Sequence, residues 1–238
     1  MPNHYSDMGF LIERQEDISE LLQNLYETGT TIPAKHGEYR YITVDNYIEF
    51  WLQIKKNNVL GLEFHYSSKN TISVKFEKYI KNKNSSKLGG SVYVWNEGNF
   101  PMILDVPNLD LYRKIKKDSV ISMQISAYTN TLSLFDSKED YDRSQEENKL
   151  QYASECFVPI GMFTTDKNAP PEAYAMLSGT IKSFEKRANS ISNKAYYYFE
   201  VECLGIIFDI VADTEYVSKE PVIGGVLNGE FWLSGKML

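Results

Sequence analysis

The chain has 238 residues and a mass of 27.4 kDa, of which 42% are hydrophobic and 24% charged. That composition is globular and long enough to bury a core without disulfides or metal, and it excludes disorder, collagen and coiled coil as readings of the whole chain. Lys plus Arg number 25 against 32 Asp plus Glu, so the net charge of −7 lacks the basic footprint of a nonspecific nucleic-acid binder.

The chain starts without a basic-then-apolar leader, and no stretch approaches the roughly 18 apolar residues of a membrane span. A cytoplasmic protein is the expectation. Ile18, Leu21, Leu22 and Leu25 recur at helical spacing and predict one amphipathic helix. Glu16, Asp17 and Glu20 suit its first turn, and Gly29 suits its end.

Alternating segments follow, in keeping with 13% aromatic residues, 17 Tyr among them. Ile48–Lys55 and Val59–Tyr66 predict a hairpin across Lys56-Asn57-Asn58. Ile72, Val74 and Phe76 mark another strand, with shorter ones at Ser91–Trp95 and Met102–Val106. Val120–Tyr128 and Thr131–Phe135 suggest a second hairpin around Thr129-Asn130. Asp136–Lys149 is charge-dense and predicts an exposed loop or solvated helix. Asn168-Ala169-Pro170-Pro171 breaks regular structure and is the expected linker.

Beyond the linker, Ala175–Phe184, Ala195–Leu204 and Ile206–Val211 read as strands. Asn228-Gly229 carries a strong hairpin signal between Val226-Leu227 and Phe231–Leu233. The expected fold is α+β and mainly antiparallel β. An α+β domain spans 1–168, with the N-terminal helix on a sheet, and a small OB-like barrel or sandwich spans 172–238. No internal repeat or low-complexity tract is visible.

Motifs exclude more than they assign. The three histidines have no metal-ligand spacing, and phosphate-cradling glycine loops and a nucleophile elbow are missing. No cofactor or metal is expected. Asp136-x-Lys138-x-Asp140-x-Asp142 echoes a calcium loop, but Lys138 and Tyr141 stand where an oxygen ligand and a glycine are required. Cys156 and Cys203 sit in apolar runs and read as buried free thiols, with a disulfide left open.

Two features remain as candidate binding elements. Lys69, Lys75, Lys78, Lys81, Lys83 and Lys87 form a local basic cluster, with Arg113, Lys114, Lys116 and Lys117 as a second. Tyr196 and Tyr198 share a strand face with Glu200 and Glu202 and read as exposed rings for stacking, while Tyr197 and Phe199 read as core. Tyr196, Tyr198, Lys78, Lys81 and Lys83 are therefore the candidate binding residues.

Met8-Gly9-Phe10, Glu16-Asp17, Ile32-Pro33, Gly37-x-Tyr39, Glu49-x-Trp51-Leu52-Gln53 and Gly61-x-x-x-His65-Tyr66 stand as short landmarks, as does Gly229-Glu230-Phe231-Trp232-Leu233-Ser234-Gly235 at the end. On these residues the chain resembles an uncharacterised bacterial protein family. It departs from that pattern in having Leu11 where a proline would follow the phenylalanine, and in seven residues before Met8. The resemblance implies a shared fold and no site.

The leading functional expectation is a non-catalytic cytoplasmic binding or adaptor protein, with a protein partner favoured over nucleic acid and no membrane. An OB-like nucleic-acid module is the alternative. An enzyme is the third reading, with a carboxylate site built from Glu49, Glu63 and His65.

Overall fold

A computed structural model describes residues 3–12, 14–80, 86–96, 100–146, 149–163 and 169–238. The predicted helix is α1 (Gln15–Thr28). The Arg14 N–H donates to Asp17 Oδ2 at 2.9 Å at its start, and the Gly29 N–H closes it on Leu25 O at 3.0 Å. Leu25 is the one α1 residue fully buried; Leu21 and Leu22 pack beside it. Gly29 ends the helix with extended backbone (φ −67°) rather than a left-handed turn.

Four strands follow as an antiparallel meander: β1 (Thr30–Ala34), β2 (Gly37–Val44), β3 (Ile48–Lys55) and β4 (Asn58–Tyr66). The β3–β4 hairpin turns through Lys56 and Asn57, both at positive φ, the geometry that matches the right-handed twist of the strands.

A nine-stranded sheet holds the rest, and its plan repeats. The first unit is β5 (Ile72–Tyr79), β6 (Ser91–Asn96) and β7 (Pro101–Asp105), followed by a 3-10 turn and the long strand β8 (Val120–Phe135). After α2 (Lys138–Gln145) and the short β9 (Cys156–Val158), the second unit gives β10 (Tyr174–Ala188), β11 (Ala195–Cys203) and β12 (Ile206–Asp213), then a 3-10 turn and the long strand β13 (Val226–Met237). β8 and β13 pair antiparallel along almost their whole length. The start of each long strand closes its own three-stranded meander, β8 on β5 and β13 on β10. Each then runs parallel to the third strand of the other unit: Ser126–Tyr128 lies opposite Asp209–Val211, and Ser234 opposite Asp105. Two five-stranded rings thus share the β8–β13 pair, related by an approximate two-fold axis through it. One continuous apolar cluster fills them, from Val74, Val94 and Leu104 through Ile125 and Leu233 to Val201, Phe208 and Ile210.

The α+β, mainly antiparallel expectation holds, but two details change. The expected boundary at 168–172 does not separate two structural units, because the C-terminal ring takes β8 from the other side of it. The expected hairpins at Thr129-Asn130 and Asn228-Gly229 are instead the interiors of β8 and β13. The charge-dense stretch after β8 contains α2, capped by the Ser137 hydroxyl accepting from the Asp140 N–H at 3.1 Å.

The meander of β1–β4 meets the rings along the edge of β4. Ser234 Oγ donates to Phe64 O at 3.1 Å, and the Tyr66 N–H donates to Ser126 Oγ at 3.4 Å. Serines opposite one another on β8 and β13 thereby stand in for a strand partner. The N-terminal turn is tied down by the buried Asp7 carboxyl, which accepts the N–H groups of Thr129 and Asp213, each at 3.1 Å.

Candidate functional site

Alternation on β11 turns Tyr197, Phe199 and Val201 into the core and Tyr196, Tyr198 and Glu200 outward. The outer face of the ring is not free, however. Met8, Phe10, Phe50 and Tyr66 pack over it, so Tyr196 and Tyr198 are 0% and 5% exposed. The expectation of two exposed rings is corrected: alternation separates the faces of a strand, but cannot show that a second layer covers the outer one.

Tyr198 nevertheless reaches a cleft. It opens between the β2–β3 turn and the end of β4 on one side and β10–β11 on the other, with a volume of about 480 Å³. Tyr47, Ser68, Lys69, Arg187, Tyr198 and Glu200 line it. The Arg187 guanidinium carbon lies 4.3, 4.2 and 5.9 Å from the ring centroids of Tyr47, Tyr198 and Tyr66. Tyr66 stacks on Tyr47 at 5.9 Å and on Tyr198 at 5.5 Å. Arg187 also donates to the Tyr66 hydroxyl and pairs with Glu185 at 2.8 Å. Burial works against its charge, but Glu185 and Tyr66 outweigh that and raise its pKa further.

Behind the rings lies an acidic pair. Asp209, 1% exposed, accepts from the Tyr198 hydroxyl at 2.7 Å, from Asn70 Nδ2 at 2.8 Å and from Ser68 Oγ. Glu200 accepts from Ser183 Oγ at 2.8 Å and Asn70 Nδ2 at 3.1 Å, with the Lys69 ammonium 3.7 Å away. Burial raises the Asp209 pKa despite its donors. Burial also pushes on Glu200, but the donors and Lys69 bring that carboxylate below its ordinary value. The cleft therefore presents a cation, Arg187, and an anion, Glu200, on side chains that are already locked, with the exposed Lys69 ammonium beside them.

The other candidate residues lie elsewhere. Lys78 is exposed on β5 of the first unit, 5.6 Å from the Tyr93 ring, and takes no part in the cleft. Lys81 and Lys83 lie outside the described residues. Lys75 and Lys117 of the basic clusters pair with Asp118 and Glu77, at 2.8 and 2.5 Å. Glu49, Glu63 and His65 do share one face of the β3–β4 hairpin, with Glu49 opposite His65. Glu49 is held by Lys236 Nζ at 2.5 Å, and His65 Nδ1 lies 3.1 Å from Ser234 Oγ. Both are buried, and burial lowers the His65 pKa to about 3. Glu63 lines a cleft between the hairpin and the first unit of the large sheet.

Sequence reading missed Arg187, Tyr47 and Asp209. Nothing local marks them, since the cleft forms only where a turn near residue 46 meets strands near 187 and 200.

Among the described residues no group of three or more His, Cys, Asp or Glu is placed to hold a metal ion, and no helix is long and apolar enough to cross a membrane. Cys156 and Cys203 are free, and the Cys203 thiol donates to Cys156 O at 3.4 Å. No curated protein matches the chain. Residues 135–235, which carry Arg187, Tyr198, Glu200 and Asp209 together with the Gly229–Gly235 landmark, match a family model described as "Domain of unknown function, E. rectale Gene description (DUF3881)", so this part of the chain is similar to an uncharacterised family.

Proposed function

We propose that the protein is a non-catalytic binding protein of the cytoplasm and that the Arg187 cleft is where it takes its ligand. One observation carries the reading: a preformed cavity of about 480 Å³, within the roughly 300–1,000 Å³ of small-molecule sites, walled by Arg187 locked against three tyrosine rings with Glu200 nearby. That wall suits a polar ligand of mixed charge, whether a free molecule or the side chain of a partner protein. Its anionic group would meet Arg187 and Lys69, and its cationic group Glu200.

The test is capture by the tagged full-length protein from native extract at moderate salt. Bound small molecules, proteins and nucleic acid are each analysed by mass. A stoichiometric ligand or partner, lost in a folded Arg187→Ala variant, is the expected result. An empty wild-type protein, or equal retention by the variant, overturns the reading.

An OB-like nucleic-acid module is the second reading. What supports it is the ring architecture, five strands closed with one parallel pair after a three-stranded meander. It requires single-strand binding that falls steeply between low and physiological salt.

A further inference from the structure

Glu63 opens into a second cleft, formed by the β3–β4 hairpin with the first unit rather than the second. It encloses about 320 Å³ and is lined by Gln53, Gly61, Glu63, Ser91 and Asp105, with Ser86 and the glycines that follow it at one end. Asp105 is fixed in place: it accepts Ser91 Oγ at 2.5 Å and Trp232 Nε1 at 2.6 Å. The Gln53 amide is committed too, donating to Pro107 O at 3.2 Å and accepting from Ser86. Glu63 differs from every other polar side chain in the wall. Its carboxyl has no hydrogen-bond donor among the described residues, although the side chain is half-buried in the cleft wall. Among the described residues no lysine or arginine lines this cleft.

A carboxyl group left without donors beside a second, oriented carboxylate is a costly arrangement unless something supplies both hydrogen bonds and positive charge. A metal ion is a poor fit, because two carboxyl groups fall short of a ligand set. A neutral hydroxyl offers one donor and leaves the two carboxyl groups repelling each other. An ammonium carries three donors and the compensating charge. We propose that this cleft binds a small organic ammonium, held between Glu63 and Asp105.

The site is independent of the Arg187 cleft and shares no residue with it. The titratable groups facing Glu63 are Asp105 and Tyr5, with Tyr174 beside Asp105. Burial, with Asp105 adding to it, pushes the Glu63 carboxyl up to about 7. At neutral pH the empty site is therefore partly protonated, and the ammonium displaces that proton.

The test is calorimetric titration of the full-length protein with n-butylammonium, with 1-butanol as the uncharged control. Affinity should rise about tenfold from pH 6 to pH 8, as expected for one carboxyl titrating near 7. The binding heat at pH 6 should change with the ionisation enthalpy of the buffer, because a proton is released. Glu63→Gln, confirmed as folded by its thermal transition, should bind at least tenfold more weakly and lose the pH dependence. Asp105→Asn is the second variant and should weaken binding while keeping some pH dependence from Glu63. No heat with the ammonium at millimolar concentration, equal binding of 1-butanol, or unchanged pH-dependent binding in Glu63→Gln overturns the proposal.

Discussion

Glu63 carries a consequence for the empty protein as well as for a ligand. Its pKa rises from 4.5 in the unfolded chain to about 7 in the fold, mainly because burial disfavours the charged form. The folded state therefore holds its proton more tightly than the unfolded state. The stability this contributes is complete below about pH 4.5 and is lost as pH rises through 7. Glu63→Gln removes the titration, so the variant should gain on the wild type with increasing pH. Between pH 5 and pH 8 the gain should be about 2 kcal/mol, below the full value of the shift because Glu63 is only half-buried. Urea unfolding of both proteins at the two pH values checks this; a pH-independent difference would mean that Glu63 is solvated. Legibility at this scale was uneven. The inward side chains of β11, Tyr197 and Phe199, could be read from alternation, because a strand has only two faces. The burial of Tyr196 and Tyr198 could not, because it depends on Phe10, Phe50 and Tyr66, remote in sequence.

At the scale of elements, the helix and the β3–β4 hairpin follow from local pattern, since their hydrophobic spacing and turn residues agree. The long strands do not. Thr129-Asn130 and Asn228-Gly229 look like turns, yet in the fold they lie side by side in the β8–β13 ladder. Thr131 pairs with Glu230 and Thr129 with Phe231, so Asn130 is the extra residue of a β-bulge. Gly229 sits opposite Leu132, where an added Cβ would run into the Thr131 carbonyl and lie 2.8 Å from the Phe231 ring. The glycine that suggested a turn thus permits close backbone approach instead. Gly229→Ala should therefore cost about 2–3 kcal/mol by displacing β8 from β13. Gly205, with open space around its Cβ position, should cost only about 1 kcal/mol when changed to alanine, the penalty of its positive φ of 79°. Denaturant midpoints at constant m-value separate the two cases; equal losses would show that the β8–β13 approach is not tight.

The whole molecule is where sequence reading stops. The proline-rich stretch 168–171 has the composition of a linker, but composition reports only on the local chain. What decides whether the flanking parts are independent is the strand order, and here the strands interlock. Each ring borrows a long strand from the other unit, so neither can close alone. The second ring needs β8 both as the parallel neighbour of β12 and as the antiparallel neighbour of β13. Ile125 and Ala127 of β8 belong to the same core as Phe199, Phe208 and Leu227. No sequence repeat signals the two-fold plan, because equivalent positions need only match in burial and not in identity. A fragment covering 172–238 would expose the edges of β12 and β13 and the apolar faces that β8 covers. It should therefore show no cooperative thermal transition when expressed alone. Supplying 1–168 in the same cell should restore a soluble complex whose circular dichroism matches the intact chain. A fragment that melts cooperatively on its own would show instead that the C-terminal strands can close without β8, and would undo the interlocked reading of the fold.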